Sequence, residues 1–188
     1  MIKRNLALPA FIATALALGA GAVSAEVVNN NITEAEVKAA QEAWGQALIQ
    51  ISDRYAADGI DKAREKAEQV LDAAYGYGQG AVLFKPTLAS GEQTFRIARE
   101  GALAYFVGHD ESYPDDSGFA LKGWKSYSFE NAAVYINGDL ALTTGHVRLT
   151  DADGQETIVD KSWAFKKDEQ GALRIVLHHS SLPYAPGY

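Results

Sequence analysis

The chain contains no cysteine, and its single methionine is the first residue. The missing thiols exclude disulfides, thiol nucleophiles and thiolate-ligated metals together. Basic charge is also short: 17 Lys and Arg stand against 24 Asp and Glu, a formal net charge of −7. An acidic surface repels phosphate backbones, so nucleic acid is not an expected partner. After residue 25 no apolar run reaches the roughly 20 residues that a bilayer-spanning helix needs. There is no internal repeat, no Gly-flanked serine of the nucleophile-elbow kind around Ser180-Ser181, and no ordinary zinc-ligand spacing. The Gly-rich stretch Tyr75-Gly76-Tyr77-Gly78-Gln79-Gly80 lacks the terminal Lys-Ser/Thr of a phosphate loop and follows a helical pattern, so it reads as a connection. No cofactor is called for.

The first 25 residues differ in kind from the rest. Lys3 and Arg4 precede an apolar run from Leu6 to Leu18, and Val23-Ser24-Ala25 places small residues before Glu26. That order is the pattern of a cleavable export signal, with cleavage expected between Ala25 and Glu26 and a periplasmic or secreted destination. Without Lys3 and Arg4 the remaining 163 residues carry 15 basic and 24 acidic side chains, a net charge of −9. That length suits one domain, residues 26–188, held by its core alone.

Thr33 followed by Glu36 is the signature of a capping box. Val37, Ala40, Trp44, Leu48, Ile51 and Tyr55 then recur at helical steps, predicting an amphipathic helix that ends near Asp58-Gly59. A second helix is predicted from Asp61 to about Tyr75, a short buried strand at Ala81–Phe84, and a third helix from Phe95 to Val107. The acidic segment from His109 to Gly118 has oxygens but not the spacing of a calcium loop, and reads as solvated. From Leu121 the pattern turns to period two, giving four strands near 121–135, 139–150, 155–167 and 172–181, with Asn137-Gly138 as a hairpin turn. Helices followed by an antiparallel meander make an α+β fold, with three helices packed on one face of the sheet.

Several short runs in the second half then become familiar. Gly138-Asp139, Gly145-His146-Val147-Arg148-Leu149-Thr150, Lys166-Lys167-Asp168 and Ile175-Val176-Leu177-His178-His179-Ser180-Ser181-Leu182-Pro183 resemble the association domain of calcium/calmodulin-dependent protein kinase II. That domain belongs to the cone-shaped nuclear transport factor 2-like superfamily, with ketosteroid isomerase and the SnoaL-like polyketide cyclases. The resemblance covers roughly residues 120–184 and suggests a secreted, bacterial-type version. It implies a curved sheet around helices, a pocket at the open end of the cone, and dimers or larger rings joined through the outer sheet face. Buriable groups on both faces of the late strands, among them Trp163, Phe165, Arg174 and Val176, agree with a covering partner subunit, so a homodimer at least is expected.

The association domain carries pocket arginines. The first matches Arg148, whereas the second and third fall on Ser162 and His179, so the basic triplet is not kept. If Arg148 faces the hollow, alternation brings Thr144, His146, Asp160, Ser162 and His179 with it. His146, Asp160 and His179 then become acid–base candidates, and Arg148, Ser162, Trp124 and Tyr105 candidate ligand contacts, for an anionic or carbonyl-bearing small molecule. The alternative for Arg148 and Asp160 is a cross-strand ion pair. A one-residue slip would exchange the faces and put His178 and Trp163 inside. Three functions are weighed: a small-molecule-binding module without turnover, a cone-fold isomerase, cyclase or lyase using a His/Asp pair with Arg148 as anchor, and an oligomerisation scaffold.

Overall fold

The computed structural model describes residues 29–186, so the expected export signal at residues 1–25 lies outside the described residues. The chain begins with two helices, α1 (Glu34–Asp58) and α2 (Ile60–Ala74), then a short strand, β1 (Leu83–Lys85), and a third helix, α3 (Arg99–Val107). Four long strands follow: β2 (Trp124–Asn137), β3 (Leu140–Asp151), β4 (Glu156–Lys167) and β5 (Leu173–Ser181). The fold is α+β, with a five-stranded mixed sheet in the order β1-β5-β4-β3-β2. The antiparallel meander is as predicted. The short first strand joins it at the edge, parallel to β5. Among the described residues no helix is long and apolar enough to cross a membrane.

Local chemistry explains the helix ends. The Thr33 hydroxyl accepts from the Glu36 amide at 3.2 Å while the Glu36 carboxylate accepts from the Thr33 amide at 2.7 Å, completing the capping box. Gly59, at φ +80°, turns α1 into α2. Along α1 the buried stripe runs through Val37, Gln41, Trp44, Leu48, Ile51 and Ser52. Gly45 belongs to this face because a Cβ there would meet the Tyr127 ring at 2.5 Å, and that ring fixes the helix against β2. Helix α3 starts four residues later than predicted. Residues 95–97 run extended beside β1 instead: the Arg96 amide donates to Phe84 O at 2.8 Å, and the Val82 amide to Ile97 O at 3.4 Å.

Two loops are firmer than their composition suggested. The Gly-rich connection forms a 3-10 turn at Gly76–Gly78, and Tyr75 ahead of it is fully buried and bridged to Ile175. The acidic loop is not wholly solvated. Arg96 grips Asp116 with two hydrogen bonds of 2.7 and 3.1 Å, both side chains almost wholly buried, and stacks over the Tyr113 ring at 4.5 Å.

The register decides what lies inside. Val147, Leu149, Val159, Lys161, Trp163, Phe165, Ile175, His178 and Ser180 are buried. Arg148, His146, Asp160 and Ser162 take the opposite, outer face, as alternation requires. Register shifts at Trp124/Ser126, Asn131/Ala133 and Ala164/Phe165 bend the strands over the helices. The space beneath holds packed rings, including Trp44 against Trp163 at 5.5 Å and Phe84 against Phe106 at 5.8 Å. Where the resemblance implied a pocket at the open end of the cone, these rings and the aliphatic side chains around them occupy the space under the sheet.

Candidate active site

The outer-face residues form a polar ladder. His146 Nδ1 stands 3.0 Å from Asp160 Oδ1, both about half exposed. Arg148 reaches Glu156 at 3.2 Å and Glu130 at 3.9 Å, and the Ser162 hydroxyl donates to Thr144 Oγ1 at 3.0 Å. His179 is exposed. The expectation that Arg148 faces a hollow is corrected: its guanidinium pairs with surface carboxylates. It pairs with those two glutamates and not with Asp160. Trp124 is buried, with its indole N–H donating to Phe119 O at 2.8 Å, which makes it core. Of the expected set, Tyr105 lies inside beside other side-chain hydroxyls.

That company comes from three elements. Thr87 follows β1 just beyond Pro86, Ser180 lies near the end of β5, and Tyr105 sits in α3. The parallel pairing of β1 with β5, with Lys85 opposite His179, carries Thr87 to Ser180. Their hydroxyl oxygens are 2.9 Å apart and buried. The Tyr105 hydroxyl is buried beside the Thr87 side chain and the Thr87–Leu88 backbone, yet makes no hydrogen bond of normal geometry. Burial pushes its pKa up, so it remains a protonated donor. Lys85 Nζ donates to Ser180 O at 3.0 Å, and burial lowers its pKa.

Hydroxyl arithmetic gives the site its chemistry. In the Thr87–Ser180 pair only one hydroxyl donates to the other, so one O–H remains free. With Tyr105 that brings three hydroxyls to one buried point, beside the rings of Phe84 and Phe119, which pack on Tyr105 at 5.8 and 5.5 Å. Such a place can hold a small molecule with oxygens to hydrogen-bond and no bulk to accommodate.

A second polar chain lies deeper. Trp44 Nε1 donates to the Tyr75 hydroxyl at 3.0 Å, which meets His178 Nδ1 at 2.8 Å. His178 Nε2 in turn meets Lys161 Nζ at 3.1 Å. Burial holds the His178 pKa well below the ordinary imidazole value and brings Lys161 down to about 7. His178 inside and His179 outside is the exchanged register considered from the sequence. Thr87 and Ser180 were missed because only the pairing of β1 with β5 brings their hydroxyls together, and Tyr75 and Lys161 because only the packing of α1 under the sheet joins them to Trp44 and His178. Among the described residues no group of three His, Asp or Glu is gathered as a metal site would need.

A curved mixed sheet closed over three helices gives the chain the nuclear transport factor 2-like fold. Two structures support this at the level of fold. One is a protein of Xanthomonas campestris described as a putative kinase II association domain, with 19% identity, 88% of this chain, all of the other and TM-score 0.50. The second is an NTF2-like protein of Pseudomonas putida, with 17% identity, 81% and 88% of the chains and TM-score 0.50. Within that class the match is much closer elsewhere. Residues 35–182 match the family described as metal-independent carbonic anhydrase, and the chain belongs to that family. The metal-independent carbonic anhydrase of Nostoc sp. is 56% identical over 158 residues, 84% of this chain and 77% of that protein. A cyanobacterial iota-carbonic anhydrase, crystallised in complex with bicarbonate, superposes with TM-score 0.85 at 55% identity, over 87% of this chain and 99% of the other. These relatives overturn the functions weighed from sequence. They are enzymes, so neither a binding module, nor a scaffold, nor a His146/Asp160 isomerase or cyclase anchored by Arg148 describes the chain.

Proposed function

We propose that this protein catalyses the reversible hydration of carbon dioxide, CO2 + H2O to bicarbonate and a proton, at the Thr87–Tyr105–Ser180 hydroxyl cluster. The observation that carries this reading is the unpaired, buried Tyr105 hydroxyl beside the Thr87–Ser180 pair. Membership of the family and a relative crystallised with bicarbonate support it. Bicarbonate has three oxygens and one proton, and hydroxyls both donate and accept, so three of them match it without a metal. Free O–H donors aimed at oxygens where negative charge develops stabilise the transition state for hydration. A substrate of three or four heavy atoms needs no wide cavity, which accords with the packed interior.

The test is proton release on mixing with dissolved CO2, followed by stopped flow. Wild type accelerates hydration and keeps doing so after exhaustive chelation, and Tyr105→Phe, which removes one donor, slows it about 10²–10³-fold. A Phe variant as fast as wild type would refute the assignment of the site.

Two further parts of the reading go with it. Export with removal of residues 1–25 predicts a mature protein beginning at Glu26, checked by sequencing its N-terminus. Self-association is supported by an apolar row across the outer face: Tyr135, Leu142, Ala164, Leu177 and Leu83 are opposite one another on successive strands. Tyr135 and Leu83 are each 58% exposed. A second copy covering this row makes a homodimer, and native mass spectrometry decides it.

A further inference from the structure

The chain Trp44–Tyr75–His178–Lys161 has one proton arrangement that leaves no hydrogen atom without an acceptor. Trp44 Nε1 can only donate, so the Tyr75 oxygen accepts from it. The Tyr75 O–H then needs an acceptor, and His178 Nδ1 at 2.8 Å is the one the structure provides. With Nδ1 accepting, the neutral imidazole carries its proton on Nε2, which points at Lys161 Nζ at 3.1 Å. Lys161 must then offer a lone pair, as a neutral amine does and an ammonium does not. Its nitrogen lies over the rings of Trp44 and Trp163, 3.9 and 5.1 Å from their centroids, and those ring faces can take its two remaining N–H bonds.

The charged alternative is worse by one group. An ammonium would donate to Nε2, forcing the His178 proton onto Nδ1. Tyr75 would then receive donors from both sides, and its own buried hydroxyl proton would have no acceptor. The ring faces do attract a cation, but among the described residues no carboxylate stands against Lys161 to neutralise it. The groups around it are the rings of Trp44 from α1 and Trp163 of β4, His178 and Ser180 of β5 and Gly145 of β3, and Asp160 takes the opposite face. Burial brings the Lys161 pKa down to about 7, which agrees with a neutral amine above that pH.

This chain borders the hydroxyl site. Lys161 and Ser180 are directly opposite one another on β4 and β5, and Trp163 is opposite His178. The His178 ring stacks on Phe84 at 4.6 Å, and Phe84 packs edge-on against Tyr105 at 5.8 Å. We propose that Lys161 is a positioning residue that, as a neutral amine, locks His178 in its Nε2–H form and so holds Phe84, Ser180 and Tyr105 in the working geometry. Uptake of one proton by Lys161 reverses the chain and releases that lock. The consequence for hydration rests on the carbonic anhydrase reading; the direction of the chain does not.

Nitrogen-15 NMR of histidine-labelled protein reads the tautomer directly. Above the Lys161 midpoint His178 shows a protonated Nε2 and an accepting Nδ1. As pH falls through the midpoint the proton moves to Nδ1 without imidazolium forming, while hydration falls about tenfold per pH unit. Lys161→Gln supplies a carbonyl acceptor that does not titrate, so the Nε2–H form persists and this limb of the pH profile disappears. Lys161→Arg supplies a permanent donor, so the Nδ1–H form and the slow rate hold at every pH. A His178 that carries its proton on Nδ1 above the midpoint, or a tautomer change that survives in Lys161→Gln, overturns the proposal. A tautomer switch in a protein that does not hydrate CO2 supports the chain and refutes the carbonic anhydrase reading instead.

Discussion

Thr87 and Ser180, 93 residues apart in sequence, meet hydroxyl to hydroxyl at 2.9 Å inside the fold. They meet because β1 adds itself in parallel to the edge of β5, a long-range pairing made by three residues. Two hydroxyls that share one hydrogen bond leave one proton to offer a ligand. Removing either changes how a bound anion is held while the surrounding rings stay in place. Thr87→Val and Ser180→Ala should therefore keep the fold, shown by an unchanged circular dichroism spectrum. Each should weaken bicarbonate binding measured by carbon-13 NMR, by about 1–3 kcal/mol for a donor lost from a buried site.

The two faces of the sheet can be told apart by paired variants. His146 and Asp160 face outward and are about half exposed. His146→Gln should leave CO2 hydration within twofold of wild type, roughly the ±0.5 kcal/mol usual for surface changes, whereas Tyr105→Phe should not. A large loss in His146→Gln, measured by the same stopped-flow assay, would move the chemistry to the outer face.

Much of the fold was legible in the sequence. The capping box at Thr33, the stripe from Val37 to Ile51, the hairpin at Gly138 (φ +60°) and four period-two strands all stand where the pattern put them. These signals are local, and local geometry fixes them. The face of the sheet was less legible, because the strands carry buriable groups on both sides and polar ones on both sides. Lys161 and His178 look like surface residues in a string of letters, yet each is nearly full core, satisfied by the other. Arg148, the residue that motif matching favoured, lies outside. Thr87 carried no signal at all, since its meaning comes from β1 pairing across the whole chain.

Lys161 makes stability depend on pH in a stated direction. Its pKa is about 7 in the folded protein against 10.5 in an exposed chain. Between those values the unfolded chain binds the proton and the folded one does not, so stability rises with pH across that window. The contribution amounts to at most about 5 kcal/mol at full shift. Lys161→Gln removes it, so the variant should gain on wild type as pH falls from about 10 toward about 7, followed by urea unfolding. An unchanged difference between the two proteins over that range would show that Lys161 is charged in the fold.

The acidic loop is tied down by one buried ion pair. Arg96 and Asp116 are 3% and 6% exposed, so removing one partner strands the other's charge. Asp116→Asn should cost about 3–5 kcal/mol in denaturant unfolding, and Arg96→Met with Asp116→Leu together should recover most of it. Burial outweighs the arginine in setting the Asp116 pKa, which is raised, and that agrees with a pair held more for geometry than for attraction.

The account rests on hydroxyl donors turning over CO2. Loss of oxygen-18 label from doubly labelled CO2, followed by membrane-inlet mass spectrometry with chelated protein, measures that turnover without any indicator or buffer. The account predicts label depletion well above the uncatalysed rate in wild type and near that rate in Tyr105→Phe. Depletion at the uncatalysed rate in wild type, or undiminished in the variant, would contradict it.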